Sequence, residues 1–67
     1  MSELLTQEEK NILTIFGKGK TGKQISAQLG ISERQVREIK KSFIAKLNAR
    51  NHTHALCLAI RQGQIVL

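Results

Sequence analysis

Residues 17–24 read GKGKTGKQ. Gly17, four further residues, Gly22 and Lys23 supply most of a phosphate loop. In such a loop backbone N–H groups cradle a nucleotide's phosphates and a lysine reaches the outer ones. That chemistry also needs Ser or Thr after the lysine to hold magnesium, and Gln24 stands there. It needs a β-strand in front, whereas the residues before Gly17 have helical spacing. A doubly wound sheet does not fit 67 residues, since one βαβ unit alone takes about 30. What remains is anion binding without nucleotide chemistry: Lys18, Lys20 and Lys23 facing a phosphate of DNA beside a helix start, whose free N–H groups suit an anion. The same stretch also reads as a plain Gly-rich turn.

The second set with chemical content is Arg34, Arg37, Glu38 and Lys41. At 100° per residue Arg34, Glu38, Lys41 and Ala45 share one helix face, with Arg37 beside them. Val36, Ile39, Phe43 and Leu47 form an opposing apolar stripe. A helix that exposes Arg and Lys around a small residue can enter the major groove, where they read guanine O6 and N7. A solvated basic face is the plainer reading. Elsewhere the sequence is chemically sparse. His52, Thr53 and His54 make half a metal site with no third ligand at suitable spacing, so no metal or cofactor is expected. Aspartate is absent and no nucleophile has an evident base nearby, so no enzyme activity is expected. Cys57 is expected to be a small apolar residue among apolar neighbours.

These residues need elements to hold them, and three segments begin with the same device. Thr6–Glu9, Thr21–Gln24 and Ser32–Gln35 are capping boxes: a hydroxyl oxygen accepts from the third backbone N–H and the Glu or Gln side chain reaches back. Each precedes helically spaced apolar residues. The pattern predicts helices over about 7–17, 22–29, 33–48 and 52–62, the last capped by Asn51 or Thr53, in one all-α domain of residues 1–67. Ile12, Leu13, Phe16, Ile25 and Leu29 are expected inward, with Gly30 in the tight turn and Ile31 tucked beneath it.

Net charge is +6, and no acid follows Glu38 while Lys40, Lys41, Lys46, Arg50 and Arg61 do. The balance points to an anionic partner. One cysteine excludes an internal disulfide, which fits a reducing cytoplasm, and no apolar run is long enough to span a bilayer.

A helix, a short turn around Gly30 and a longer basic helix form the helix-turn-helix arrangement. The segments LTQEEKNIL, GKTGKQISAQLGISERQVREIKKSFIAKL and NARNHTHALCLAIRQGQI together resemble the DNA-binding domain of LuxR-type transcription regulators over residues 4–65. Leu5-Thr6, Glu9, Leu13, Gly19, Lys23, Ile25, Leu29, Ile31-Ser32, Val36, Lys46-Leu47, Thr53 and Ala55 carry the likeness through their joint spacing. Gly19-Lys20-Thr21 and Gly63-Gln64-Ile65 look most like the quorum-sensing branch. The resemblance implies a four-helix domain that binds double-stranded DNA as a dimer in the bacterial cytoplasm. It implies base reading by Arg37, Glu38 and Lys41, beside Arg34. Phosphate contacts are implied for Thr21, Lys23 and Lys40 or Lys46, with Arg34 also near the backbone and Lys20 beside them from the turn.

The chain departs from that pattern at Ser26, Gln35, Glu38 and Ile39. Ser26 is tolerable if its hydroxyl bonds the preceding turn. Glu38 is expected to pair with Arg34 and Lys41, at i−4 and i+3. The alternatives are that it accepts from cytosine N4 or that it weakens DNA binding. Residues 55–60 are apolar almost all round, more than one core stripe requires. Either Ile65, Val66 and Leu67 fold over the surplus, or it forms a homodimer contact. Leu56 and Ile60 are expected in the core, with Cys57, Leu58 and Arg61 nearer the partner. The rival function is an interaction module that antagonises a full-length regulator by heterodimerising. A second is a sigma-factor region. LuxR-type regulators usually carry a sensing domain, and Met1 followed by SEL favours a free-standing regulator.

Overall fold

In a computed structural model, which describes residues 4–66, the chain forms α1 (Gln7–Gly17), α2 (Gly22–Leu29), α3 (Glu33–Leu47) and α4 (His52–Arg61). Among the described residues there is no strand. All three capping boxes close in both directions, at Thr6/Glu9, Thr21/Gln24 and Ser32/Gln35. Asn51, rather than Thr53, caps α4 by accepting from the His54 N–H at 2.9 Å. The predicted bounds hold to within one residue, because these caps fix where each helix starts.

The α2–α3 turn depends on Gly30, whose φ of 69° lies in the left-handed region that costs residues with a Cβ. The Ile31 N–H then donates to Ser26 O at 3.1 Å, and Ser26 Oγ donates to Lys23 O at 2.8 Å. The Ser26 hydroxyl thus bonds back within its own helix, which makes it tolerable on a buried face.

Ile12, Leu13, Ile25 and Phe43 are fully buried at the centre. Val36 and Leu47 extend the α3 stripe, and Ile39 lies half-buried at its edge. Leu29 shares Ile25's side of α2 but occupies its last position beside Gly30, and it is exposed. Helix α4 seats differently from expectation. Ala55 and Ala59, both fully buried, are its core stripe. Leu56 and Leu58 are half-buried at the edges, Ile60 is 42% exposed, and Cys57 is exposed rather than packed among apolar neighbours. Two methyl-sized side chains let α4 approach α1 and α3 closely, so larger residues are displaced to the flanks. Enlarging that seam should force the helix away: Ala59→Leu is expected to cost about 1–3 kcal/mol, read as a lowered midpoint in urea unfolding.

The chain ends are tied together where the Leu5 N–H donates to Gln64 Oε1 at 2.8 Å. Ile65 folds into the core, but Val66 is 84% exposed, and Leu67 lies outside the described residues. Of the two described residues, Ile65 packs inward and Val66 does not.

Among the described residues Glu9 is the one charged group in the core. It is 4% exposed. Its Oε1 accepts from the Thr6 N–H at 2.8 Å and from Lys46 Nζ at 2.7 Å, and its Oε2 accepts from Ser42 Oγ at 2.7 Å. A capping carboxylate therefore also fastens the start of α1 to two successive turns of α3.

Candidate nucleic-acid interface

Ser32 sets the start of α3: its hydroxyl accepts from the Gln35 N–H at 3.0 Å. With Val36, Phe43 and Leu47 held in the core, the opposite side of α3 is fixed outward. Arg34, Arg37, Glu38 and Lys41 are all exposed there. The expected ion pairing of Glu38 does not occur. Among the described residues the ion pair within 4.0 Å is Glu9–Lys46, and no Lys or Arg nitrogen comes that close to Glu38. Arg34 and Lys41 remain available to an outside partner, as does the carboxylate.

The two flanks of this face differ in charge. On one side the α2 N-terminus abuts α3 across a groove of about 120 Å³ lined by Phe16, Gly22, Glu33, Val36, Arg37 and Lys40. A Cβ placed at Gly22 would stand 3.8 Å from Val36 Cγ1, so the backbone here lies against α3. Thr21 accepts from the Gln24 N–H, and its own N–H donates to Gln24 Oε1. Among the described residues the Gly22 and Lys23 N–H groups find no acceptor, as expected for a first helical turn. Arg37 and Lys40 outnumber Glu33 among the charged residues of the groove, and Lys20 and Lys23 are exposed on either side of Thr21 and Gly22. Thr21 is exposed as well.

On the other side a groove of about 270 Å³ is lined by Glu8, Ile31, Arg34, Gln35, Glu38 and Ile39. Its charged residues are two acids, Glu8 and Glu38, and one cation, Arg34, with Ile31 and Ile39 giving apolar surface. Lys46 lies on this α1-facing flank, with its ammonium bound by Glu9 and only 23% of its side chain exposed. Gly22, Arg37 and Lys40 thus share one groove, with Thr21, Lys20 and Lys23 on exposed positions at and before the start of α2, while Lys46 is bound by Glu9.

The Glu9–Ser42–Lys46 network is not legible in the sequence. Ser42 and Lys46 are one turn apart, but nothing in the sequence says which glutamate they meet. Nor is the place of His52 legible there; its ring stacks on Phe16 at 4.6 Å and 28° while Phe16 meets Phe43 edge-on at 6.4 Å. His54 Nδ1 accepts from the Arg50 N–H at 3.1 Å. Both histidines serve the start of α4, and among the described residues no group of three or more His, Cys, Asp or Glu is placed to hold a metal. No described helix is long and apolar enough to cross a membrane.

A short helix, a glycine turn and a longer helix with a cationic outer face define a helix-turn-helix domain of the DNA-binding class. A family model for bacterial regulatory proteins of the LuxR family matches residues 3–59. The spore germination protein GerE of Bacillus subtilis is 31% identical over 64 residues, which span 96% of this chain and 86% of GerE. The uncharacterized transcriptional regulatory protein YvfU of the same organism is 41% identical over 61 residues, 91% of this chain but only 30% of YvfU. A solved structure of transcription factor GerE superposes with a TM-score of 0.90 at 33% identity, covering 96% of both chains. The chain belongs to the LuxR family of bacterial regulatory proteins, and it is a LuxR-type DNA-binding domain. Domains of this type bind double-stranded DNA.

Proposed function

We propose that the 67 residues act as one unit that binds duplex DNA sequence-specifically as a dimer, with α3 in the major groove. The observation that carries this reading is the outward set of Arg34, Arg37 and Lys41, unpaired with any acid among the described residues, on a helix whose other side is locked in the core. Arg34, Arg37 and Lys41 read base edges, where bidentate cations favour guanine. Thr21, Lys20, Lys23 and Lys40 grip a phosphate, helped by the free N–H groups of Gly22 and Lys23. Lys46 is omitted because Glu9 already binds its ammonium. The dimer contact is the outer side of α4, around Cys57, Ile60 and Arg61, with Leu58 at its margin.

Selection from a random duplex library tests the reading. The chain should enrich a two-fold site with half-sites about 34–36 Å apart. Arg37→Ala and Lys41→Ala should each lose about 1–3 kcal/mol on that site. Lys23→Ala should weaken all sequences alike and reduce the salt slope by about one unit. No enrichment would instead favour a module that binds other regulators.

A further inference from the structure

We propose that Glu38 is a specificity-determining residue that selects a cytosine by accepting a hydrogen bond from its N4 amino group. The inference rests on the reading that α3 lies in the major groove. Glu38 is exposed in the middle of the outward face, with Arg34 one turn before it and Lys41 one turn after. Both cations are at helical spacings that permit pairing, yet neither comes within 4.0 Å of the carboxylate. The groove beside it is lined by Glu8, a second acid, by Ile31 and Ile39, which have no side-chain donor, and by Arg34 and Gln35, whose donors make no hydrogen bond to Glu38; Gln35 is instead turned to the Ser32 cap. Among the described residues no side chain donates a hydrogen bond to the carboxylate.

Bringing such a group against DNA is unfavourable unless the DNA itself supplies a donor, since the phosphates on either side repel it. The major groove exposes two base donors, cytosine N4 and adenine N6. Adenine N6 lies between two acceptors, its own N7 and the O4 of the paired thymine. Both repel a carboxylate that has no proton to give. Cytosine N4 has an acceptor on one side only, guanine O6 of its own pair. The other side is the C5–H edge, which a carboxylate can approach freely. Guanine O6 and N7 in turn suit arginine or lysine. Arg34 and Lys41 lie about 6 Å and about 4.5 Å along the helix axis from Glu38. These distances match one to two base-pair steps of about 3.4 Å. The half-site should therefore hold a cytosine with a guanine within two steps of it.

Library selection with wild type, Glu38→Ala, Glu38→Gln and Glu8→Gln tests this. Wild type should enrich cytosine at one position, and replacing that base should weaken binding by about 5- to 150-fold. Glu38→Ala should lose preference at that position alone. Glu38→Gln should move it to adenine, because an amide donates to N7 and accepts from N6. Glu8→Gln removes the neighbouring charge and should leave the preferred sequence intact. A Glu38→Ala protein that selects the same sequence with the same penalty overturns the assignment of Glu38 while leaving groove binding standing. A wild type that enriches nothing overturns groove reading itself, and the role of Glu38 with it.

Discussion

Lys46→Ala is expected to destabilise the domain by about 3 kcal/mol, near the lower end of the range for breaking a buried pair. The lower end applies because Lys46 is 23% exposed and water can share its site, whereas the Glu9 side chain, at 5%, cannot easily escape. A domain of 67 residues has total stability of only about 3–10 kcal/mol. Thermal unfolding followed by circular dichroism should therefore show a midpoint lowered by about 12–24 °C. A shift below about 4 °C would mean that the pair contributes no more than a surface ion pair. The same variant separates the two roles of Lys46. If Glu9 is its partner, the salt slope of DNA binding stays as in wild type. If it grips a phosphate, the slope falls by about one unit.

The network also predicts a direction with pH. Burial alone pushes the Glu9 carboxyl up, but the hydrogen bonds from Lys46, the Thr6 N–H and Ser42, with the Lys46 charge, outweigh this and hold it below its ordinary 4.5. A carboxyl depressed by folding adds stability that is complete above its unfolded value and is lost as pH falls through its folded value. The stability gap between wild type and Glu9→Gln should therefore be widest near neutrality and narrow below pH 4.5. A gap that stays constant in acid would show that Glu9 acts through shape and packing, not charge.

Local features of this fold were legible and pairwise ones were not. The three capping boxes are each written within four consecutive residues, so the starts of α1, α2 and α3 could be read directly. The outward face of α3 follows from helical period once Val36, Phe43 and Leu47 are inward. Glu9 could be read as a cap, but its partners are 33 and 37 residues away, and the period of α3 says only that Ser42 and Lys46 share a side. Helix α4 was the hardest case. Where nearly every residue is apolar, hydrophobicity carries no phase, and the expected Leu56/Ile60 stripe yielded to Ala55 and Ala59. Close helix approach selects small side chains for the contact, a criterion that ranks alanine above leucine and reverses the usual order. The Glu38 pairing failed for a related reason: helical spacing permits an exposed ion pair but gives it little energy, so side-chain entropy decides.

Ile60→Asp is expected to yield a folded monomer with about 10²- to 10⁴-fold weaker binding to a two-half-site operator. On α4, Cys57 lies opposite the Ala55/Ala59 stripe and Ile60 on its flank, about 120° round from it, with Arg61 and Thr53 exposed beside Cys57. Val66 leaves the chain nearly fully exposed and does not cover this side. A two-fold contact presents the same patch from both partners, so one aspartate per chain places two like charges in an apolar seam. Ile60 is already 42% exposed, so the core should tolerate the change and circular dichroism should remain that of the wild type. Affinity for an isolated half-site should be nearly unchanged, because α3 is untouched. Cys57→Asp should behave in the same way, while Cys57→Ala should stay dimeric. Sedimentation at several concentrations, with titrations on one and two half-sites, separates the outcomes. If Ile60→Asp and Cys57→Asp both remain dimeric, the contact lies elsewhere on the domain. If both lose binding to a single half-site as well, the damage has passed through α1 and α3 to the reading face, and α4 is a support for that face instead of the seam between two copies.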